Sequence, residues 1–223
     1  MKPEPFRILC FGDSLTWGLD PGTGRRHGED VRWPCVMQQA LGPGVRAIEE
    51  GQGGRSTVFD DPDSDVDKNG ARALPIILST HQPLDLVILM LGANDLKPGI
   101  RGDPQAAAEG MERLVHLVRS HPWHASCAVP SILIVSPPHF RTTAKGEPPR
   151  MGRRIEDSRQ LAPLYADVAT REDCGFFDAA TVATASDVDG VHLEAADTRA
   201  IGAALAGLVA RTFLPPAPES SKP

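Results

Sequence analysis

The stretch Arg7-Ile8-Leu9-Cys10-Phe11-Gly12-Asp13-Ser14-Leu15 is an apolar run that stops abruptly at Gly-Asp-Ser. The run over residues 7–11 is too short for a helix and is bounded by turn formers, so it reads as a strand. A serine hydroxyl is thereby presented at the strand's C-terminal end. Gly, Asp and Ser also make ordinary turns, so residues 12–15 gain meaning only in company with motifs elsewhere in the chain. Downstream, short apolar runs recur at 45–50, 84–91, 132–136 and 175–177. Between them lie longer amphipathic stretches at 33–41, 70–80, 104–120, 155–170 and 195–213, and in the third of these Met111, Leu114, Val115 and Val118 share one helical face. Strands alternating with helices define an α/β fold around a parallel sheet of five strands. The run Leu86-Val87-Ile88-Leu89-Met90-Leu91 has no polar alternation, as expected of a strand covered on both faces.

Composition bounds the function. The 223 residues, 41% of them hydrophobic and 23% charged, suffice for one core, and the chain reads as a single domain over 1–214. Residues 215–223, rich in Pro and Ser, have nothing to build a core with and are expected to be a disordered tail. A net charge of -6 without any Lys/Arg block argues against a nucleic-acid partner. No segment is long enough to span a membrane, and residues 1–5 leave no room for the apolar part of a secretory signal, so a cytoplasmic location is expected. Cys10, Cys35, Cys127 and Cys174 form no CxxC pair and are read as reduced. His27, His81, His116, His121, His124 and His139 lack ligand spacing, so neither a metal nor any other cofactor is expected; they are read as surface or capping residues. The stretch 137–154, rich in Pro, Gly, Lys and Arg, reads as an exposed loop, either a substrate entrance or a plain connection.

Three more motifs stand beyond the strand ends. Gly53-Gly54-Arg55-Ser56 comes after the second apolar run, Gly92-Ala93-Asn94-Asp95 after the third, and Asp189-Gly190-Val191-His192 before the last helix. In open parallel sheets that edge is where ligands bind. A serine hydroxyl needs a base to take its proton as it attacks; His192 is the candidate. Asp189, three residues earlier, reaches the imidazole Nδ1 within one turn and leaves Nε2 facing Ser14. An attacked ester develops an oxyanion, for which the Ser14 N–H, the Gly54 N–H and the Asn94 side-chain amide are the candidate donors. Alone, Gly54 and Asn94 would be turn residues, and an Asp-x-x-His pair is common by chance. Trp17 is a candidate wall of the substrate pocket, with Leu15, Val191 and Leu193 as weaker ones. Asp13 and Asp95 are expected to brace their loops by accepting backbone N–H groups.

Residue by residue, this set resembles the GDSL esterases, or SGNH hydrolases. Ser14 falls on the family nucleophile in Gly12-Asp13-Ser14-Leu15, Gly54 and Asn94 on the oxyanion Gly and Asn, and Asp189 and His192 on the last block. The stretches 12–18, 83–92 and 187–192 are similar to a bacterial arylesterase/acyltransferase branch. That resemblance implies a flavodoxin-like three-layer α/β/α sandwich, hydrolysis of short-chain acyl and aryl esters, acyl transfer to alcohols, and a homo-oligomer acting on a small-molecule ester. Other readings stay open: an acetylesterase on acetylated carbohydrates, a flavodoxin-like module binding an anion or flavin, or a noncatalytic scaffold. The binding module lacks GxxxxGK and GxGxxG and gives no use to Asn94, Asp189 and His192.

Overall fold

The computed structural model describes residues 4–215, so residues 216–223 of the expected tail lie outside it. Five strands, β1 (Phe6–Gly12), β2 (Val45–Gly51), β3 (Leu86–Met90), β4 (Ser131–Ser136) and β5 (Gly175–Asp178), form one parallel sheet. Its order is β2-β1-β3-β4-β5, the flavodoxin-like arrangement. The helices are α1 (Ser14–Trp17), α2 (Trp33–Leu41), α3 (Gly70–His81), α4 (Pro104–Arg119), α5 (Ile155–Arg171) and α6 (Ala195–Thr212).

Alternation along the strands sorts the core into two layers. Leu9, Phe11, Val87, Leu89, Ile132 and Ile134 turn one way and pack under α3, α4 and α5. Ile8, Cys10, Leu86, Ile88, Leu133 and Val135 turn the other way and pack under α2 and α6. Every residue of β3 is buried, so the uninterrupted apolar run is the mark of a strand with helices on both sides. The α4 stripe of Met111, Leu114, Val115 and Val118 is fully enclosed. Each such side chain stabilises the fold by about 1.5–3 kcal/mol relative to an exposed one.

The sheet is shorter than its apolar run at both ends of β3. At the leading end the Asp85 carboxylate accepts the Arg7 N–H at 2.7 Å. At the trailing end the Leu91 carbonyl leaves the ladder to accept the buried Tyr165 hydroxyl at 3.0 Å. The one-turn helix α1 is hidden in the sequence because four residues carry no periodicity; Asp13 caps it by accepting the Leu15 N–H at 2.9 Å. The four cysteines are free thiols. His121, expected at the surface, is buried with its ring edge against Trp123. No helix among the described residues is long and apolar enough to cross a membrane.

The end of β2 presses directly on α1. A Cβ on Gly51 would lie 2.2 Å from the Trp17 nitrogen and 2.7 Å from its Cα, both backbone atoms. Gly51→Ala is therefore expected to lower the unfolding free energy by about 1–3 kcal/mol, seen as a reduced denaturant midpoint. An unchanged midpoint would mean that α1 moves freely against β2.

Candidate active site

Parallel pairing brings the ends of β1, β2 and β3 side by side, with Gly12 opposite both Gly51 and Met90. Ser14 follows β1 at the start of α1. Its Oγ lies 2.9 Å from His192 Nε2 although 178 residues separate the two. His192 Nδ1 lies 2.5 Å from Asp189 Oδ2. A carboxylate only accepts, so Nδ1 carries the proton and Nε2 is left to accept from the serine hydroxyl. The other Asp189 oxygen accepts the backbone N–H groups of Val191 at 3.0 Å and His192 at 2.9 Å. One carboxylate thus folds the turn and orients the ring, which is why three residues separate the pair. Burial pushes the Asp189 carboxyl up, but the hydrogen bonds from the His192 ring and backbone outweigh it and hold the group at about 2.

The donors expected around Ser14 are also assembled. Neither the Ser14 nor the Gly54 backbone N–H has a hydrogen-bond partner among the described residues. Gly54 sits at φ +85°, in the left-handed region that favours glycine. Asn94 lines the same cavity and is 3% exposed, but its amide is not idle. Nδ2 donates to Asp13 Oδ2 and to the Arg55 carbonyl, both at 3.1 Å. Its oxygen accepts from Arg153 at 2.9 Å. Because guanidinium only donates and the Arg55 carbonyl only accepts, these partners together fix which end of the amide is oxygen and which is nitrogen.

Arg153 is the functional residue that sequence reasoning missed. It lies at the end of the 137–154 stretch, is 5% exposed, and also donates to the Ala93 and Arg150 carbonyls at 2.8 Å. Burial lowers its guanidinium to about 10. Its only signal in the sequence is a basic residue inside a loop, and basic residues in loops are ordinarily solvated. That loop borders the site: Arg141, Ala144 and Arg150 donate backbone hydrogen bonds to the carbonyls of Gly190, Asp187 and Asp189. Asp13 braces its own loop as expected, through Leu15, whereas Asp95 reaches a different loop and accepts the Thr57 N–H at 3.1 Å. Burial raises Asp95 to about 6 in spite of the hydrogen bonds from Thr57.

The cavity over Ser14 measures about 350 Å³. Trp17 lines it, half-buried, together with Leu19 and Met151. Leu15, Val191 and Leu193 do not. Leu15 and Leu193 are buried in the layer beneath α2 and α6, and Val191 in the opposite layer. Each adjoins a site residue in sequence, but the turn that aims the polar side chain at the cavity aims the neighbour into the core. Among the described residues no group of three or more His, Cys, Asp or Glu converges as a metal site.

With this geometry in hand, the similarities are specific. Residues 10–200 match the GDSL-like lipase/acylhydrolase family, and the chain belongs to this family of SGNH ester hydrolases. Among solved structures it resembles a protein of Agrobacterium tumefaciens str. C58 assigned as an arylesterase, with 50% identity, a TM-score of 0.90, and coverage of 93% of this chain and 99% of that one. A carbohydrate acetylesterase family member from Sinorhizobium meliloti shows 48% identity and a TM-score of 0.88 over 93% and 98% of the two chains. The M. smegmatis aryl esterase shows 40% identity and a TM-score of 0.85 over 93% and 99%. No curated protein matches the chain.

Asp189 makes a pH prediction with a definite sign. Its carboxyl binds protons less readily folded than unfolded, so it stabilises the fold above the unfolded value of about 3.9. That contribution disappears as pH falls through about 2. Chemical denaturation across this range should show the stability advantage of the wild type over Asp189→Asn shrinking toward acid; a constant difference contradicts the assignment.

Proposed function

We propose that this protein is a serine esterase cleaving short-chain acyl and aryl carboxylic esters through Ser14, His192 and Asp189. The observation that carries the reading is the continuous hydrogen-bonded chain from Ser14 Oγ through the imidazole to Asp189, beside two unpartnered N–H groups. Ser14 Oγ attacks the ester carbonyl carbon while His192 Nε2 takes its proton, and Asp189 stabilises the resulting imidazolium. The carbonyl oxygen becomes an oxyanion held by the Ser14 and Gly54 N–H groups. Asn94 joins them by turning one amide hydrogen from Asp13 or the Arg55 carbonyl to the developing charge. The bond to the alcohol oxygen then breaks and His192 returns the proton to it, leaving an acyl-serine. Water, activated by the same imidazole, releases the acid. An alcohol in place of water gives acyl transfer.

A second reading, deacetylation of acetylated carbohydrate, is favoured by the polar rim that Lys68, Lys97 and Arg150 give the cavity and by the similarity to the Sinorhizobium meliloti protein. It uses the same chemistry on a more hydrophilic alcohol.

The test is hydrolysis of p-nitrophenyl acetate, butyrate and octanoate, with acetylated xylose as a further substrate. Activity greatest on the short esters and lost in Ser14→Ala supports the proposal; equal rates in both proteins overturn it. Asn94→Ala should lower kcat by about 100-fold to 1,000-fold with little change in KM, as for a donor acting in the transition state. Arg153→Met is expected to lower kcat by roughly tenfold through misorientation of Asn94 and to cost nothing further in an Asn94→Ala background. Independent losses would assign Arg153 a role unrelated to Asn94.

A further inference from the structure

Lys68, Lys97, Arg150 and Arg153 line the cavity over Ser14, and no carboxylate does. This is the reverse of the whole chain, whose net charge is -6. Two of the four cations are answered locally. Lys97 Nζ pairs with Asp61 at 3.2 Å. Arg153 spends its donors on Ala93, Arg150 and Asn94, and feels the charges of Asp13 and Asp189. Lys68 and Arg150 are not answered: among the described residues neither side chain makes an ion pair or a hydrogen bond.

The fold brings the backbones of both to the cavity wall. The Lys68 stem lies across the Gly54 peptide, with Cε, Cδ and Cγ at 3.5, 3.6 and 3.9 Å from where a Gly54 Cβ would stand. The Arg150 backbone is fixed over the Asp189–His192 turn by its N–H, which donates to the Asp189 carbonyl at 2.9 Å, and its exposed side chain starts from there. Next to Arg150, Met151 lines the same cavity, 57% exposed and with a backbone φ of +63°, a strained setting for a residue with a Cβ. Trp17 and Leu19 add further apolar wall. The mouth therefore offers apolar surface flanked by two uncompensated cations.

Resting on the esterase reading above, we propose that the preferred substrates are esters whose alcohol part carries a carboxylate. The short acyl group is held at Ser14 among the oxyanion donors, so the alcohol part reaches the mouth, its apolar portion against Trp17, Leu19 and Met151 and its carboxylate between Lys68 and Arg150. Rim charges of this kind act on capture and selectivity, and salt screens them.

The experiment compares kcat/KM for 4-acetoxybenzoate with that for its neutral methyl ester, in the wild type and in Lys68→Gln/Arg150→Gln. The ratio of anionic to neutral ester should fall about threefold per cation removed and about tenfold in the double variant. Raising ionic strength from about 0.01 M to about 1 M should lower the ratio in the wild type and leave that of the variant nearly constant. A cationic ester, 4-acetoxyphenyltrimethylammonium, should gain on both in Lys68→Glu. Equal ratios in wild type and variant, or a parallel loss on both esters, overturn the proposal. Ser14→Ala, run on the same esters, keeps the two ideas apart: loss of both activities there upholds the nucleophile even if charge selectivity fails.

Discussion

Strand β1 is hydrogen-bonded on both sides, to β2 and to β3, in parallel and in register, and the site depends on that pairing. Parallel strands send all their C-terminal ends to one edge, so the segments leaving β1, β2 and β3 must meet there. Ser14, Gly54 and Asn94 are each a few residues beyond such an end. Their distance from one another is set by the spacing of the strands, which the buried layers on the two faces hold constant. The imidazole arrives separately, from the turn before α6, and its distance to Ser14 is set by how α6 packs on the opposite face with α2.

Buried charge then ties those segments together. The Arg55 guanidinium donates to the carbonyls of Gly12 at 2.9 Å and Glu50 at 2.5 Å and stacks 4.3 Å from the Phe11 ring, clamping the ends of β1 and β2. Asn94 joins Asp13 to the Arg55 carbonyl, and Asp95 receives the Thr57 N–H. Arg153 closes the mesh from the far loop. Such groups are costly to bury unless every donor finds an acceptor, and that requirement leaves the three loops few alternative arrangements. The site is preorganised because the buried polar groups have to satisfy one another.

The 137–154 stretch has the composition of a surface connection. Its backbone instead runs along the Asp187–Gly190 segment, hydrogen-bonded to it, and delivers Arg153 inward and Arg150 and Met151 to the rim. Composition reports an average over a segment, whereas one arginine among many can be the buried one. Leu15 and Val191 fail as wall residues for a related reason. Adjacency in sequence places neighbours on different faces of a tight turn, and both go to the core.

The α/β class, the five strands, the longer helices α2 to α6 and the identity of the polar side chains at the strand ends are legible in the chain before it is folded, whereas the one-turn α1 is not. Strand runs, helical periodicity and turn residues such as Gly12-Asp13-Ser14 are local properties, set by sterics and by the burial of neighbouring residues. The direction of Asn94's amide, the buried place of Arg153 and the pairing of Lys97 with Asp61 beside an unpaired Lys68 emerge only once the segments are packed. Each depends on an acceptor or charge contributed from a different segment, from 36 residues away for Lys97 and Asp61 to 81 for Asn94 and Asp13. Hydrogen bonding and Coulomb attraction act on distance in space, which a linear pattern does not encode.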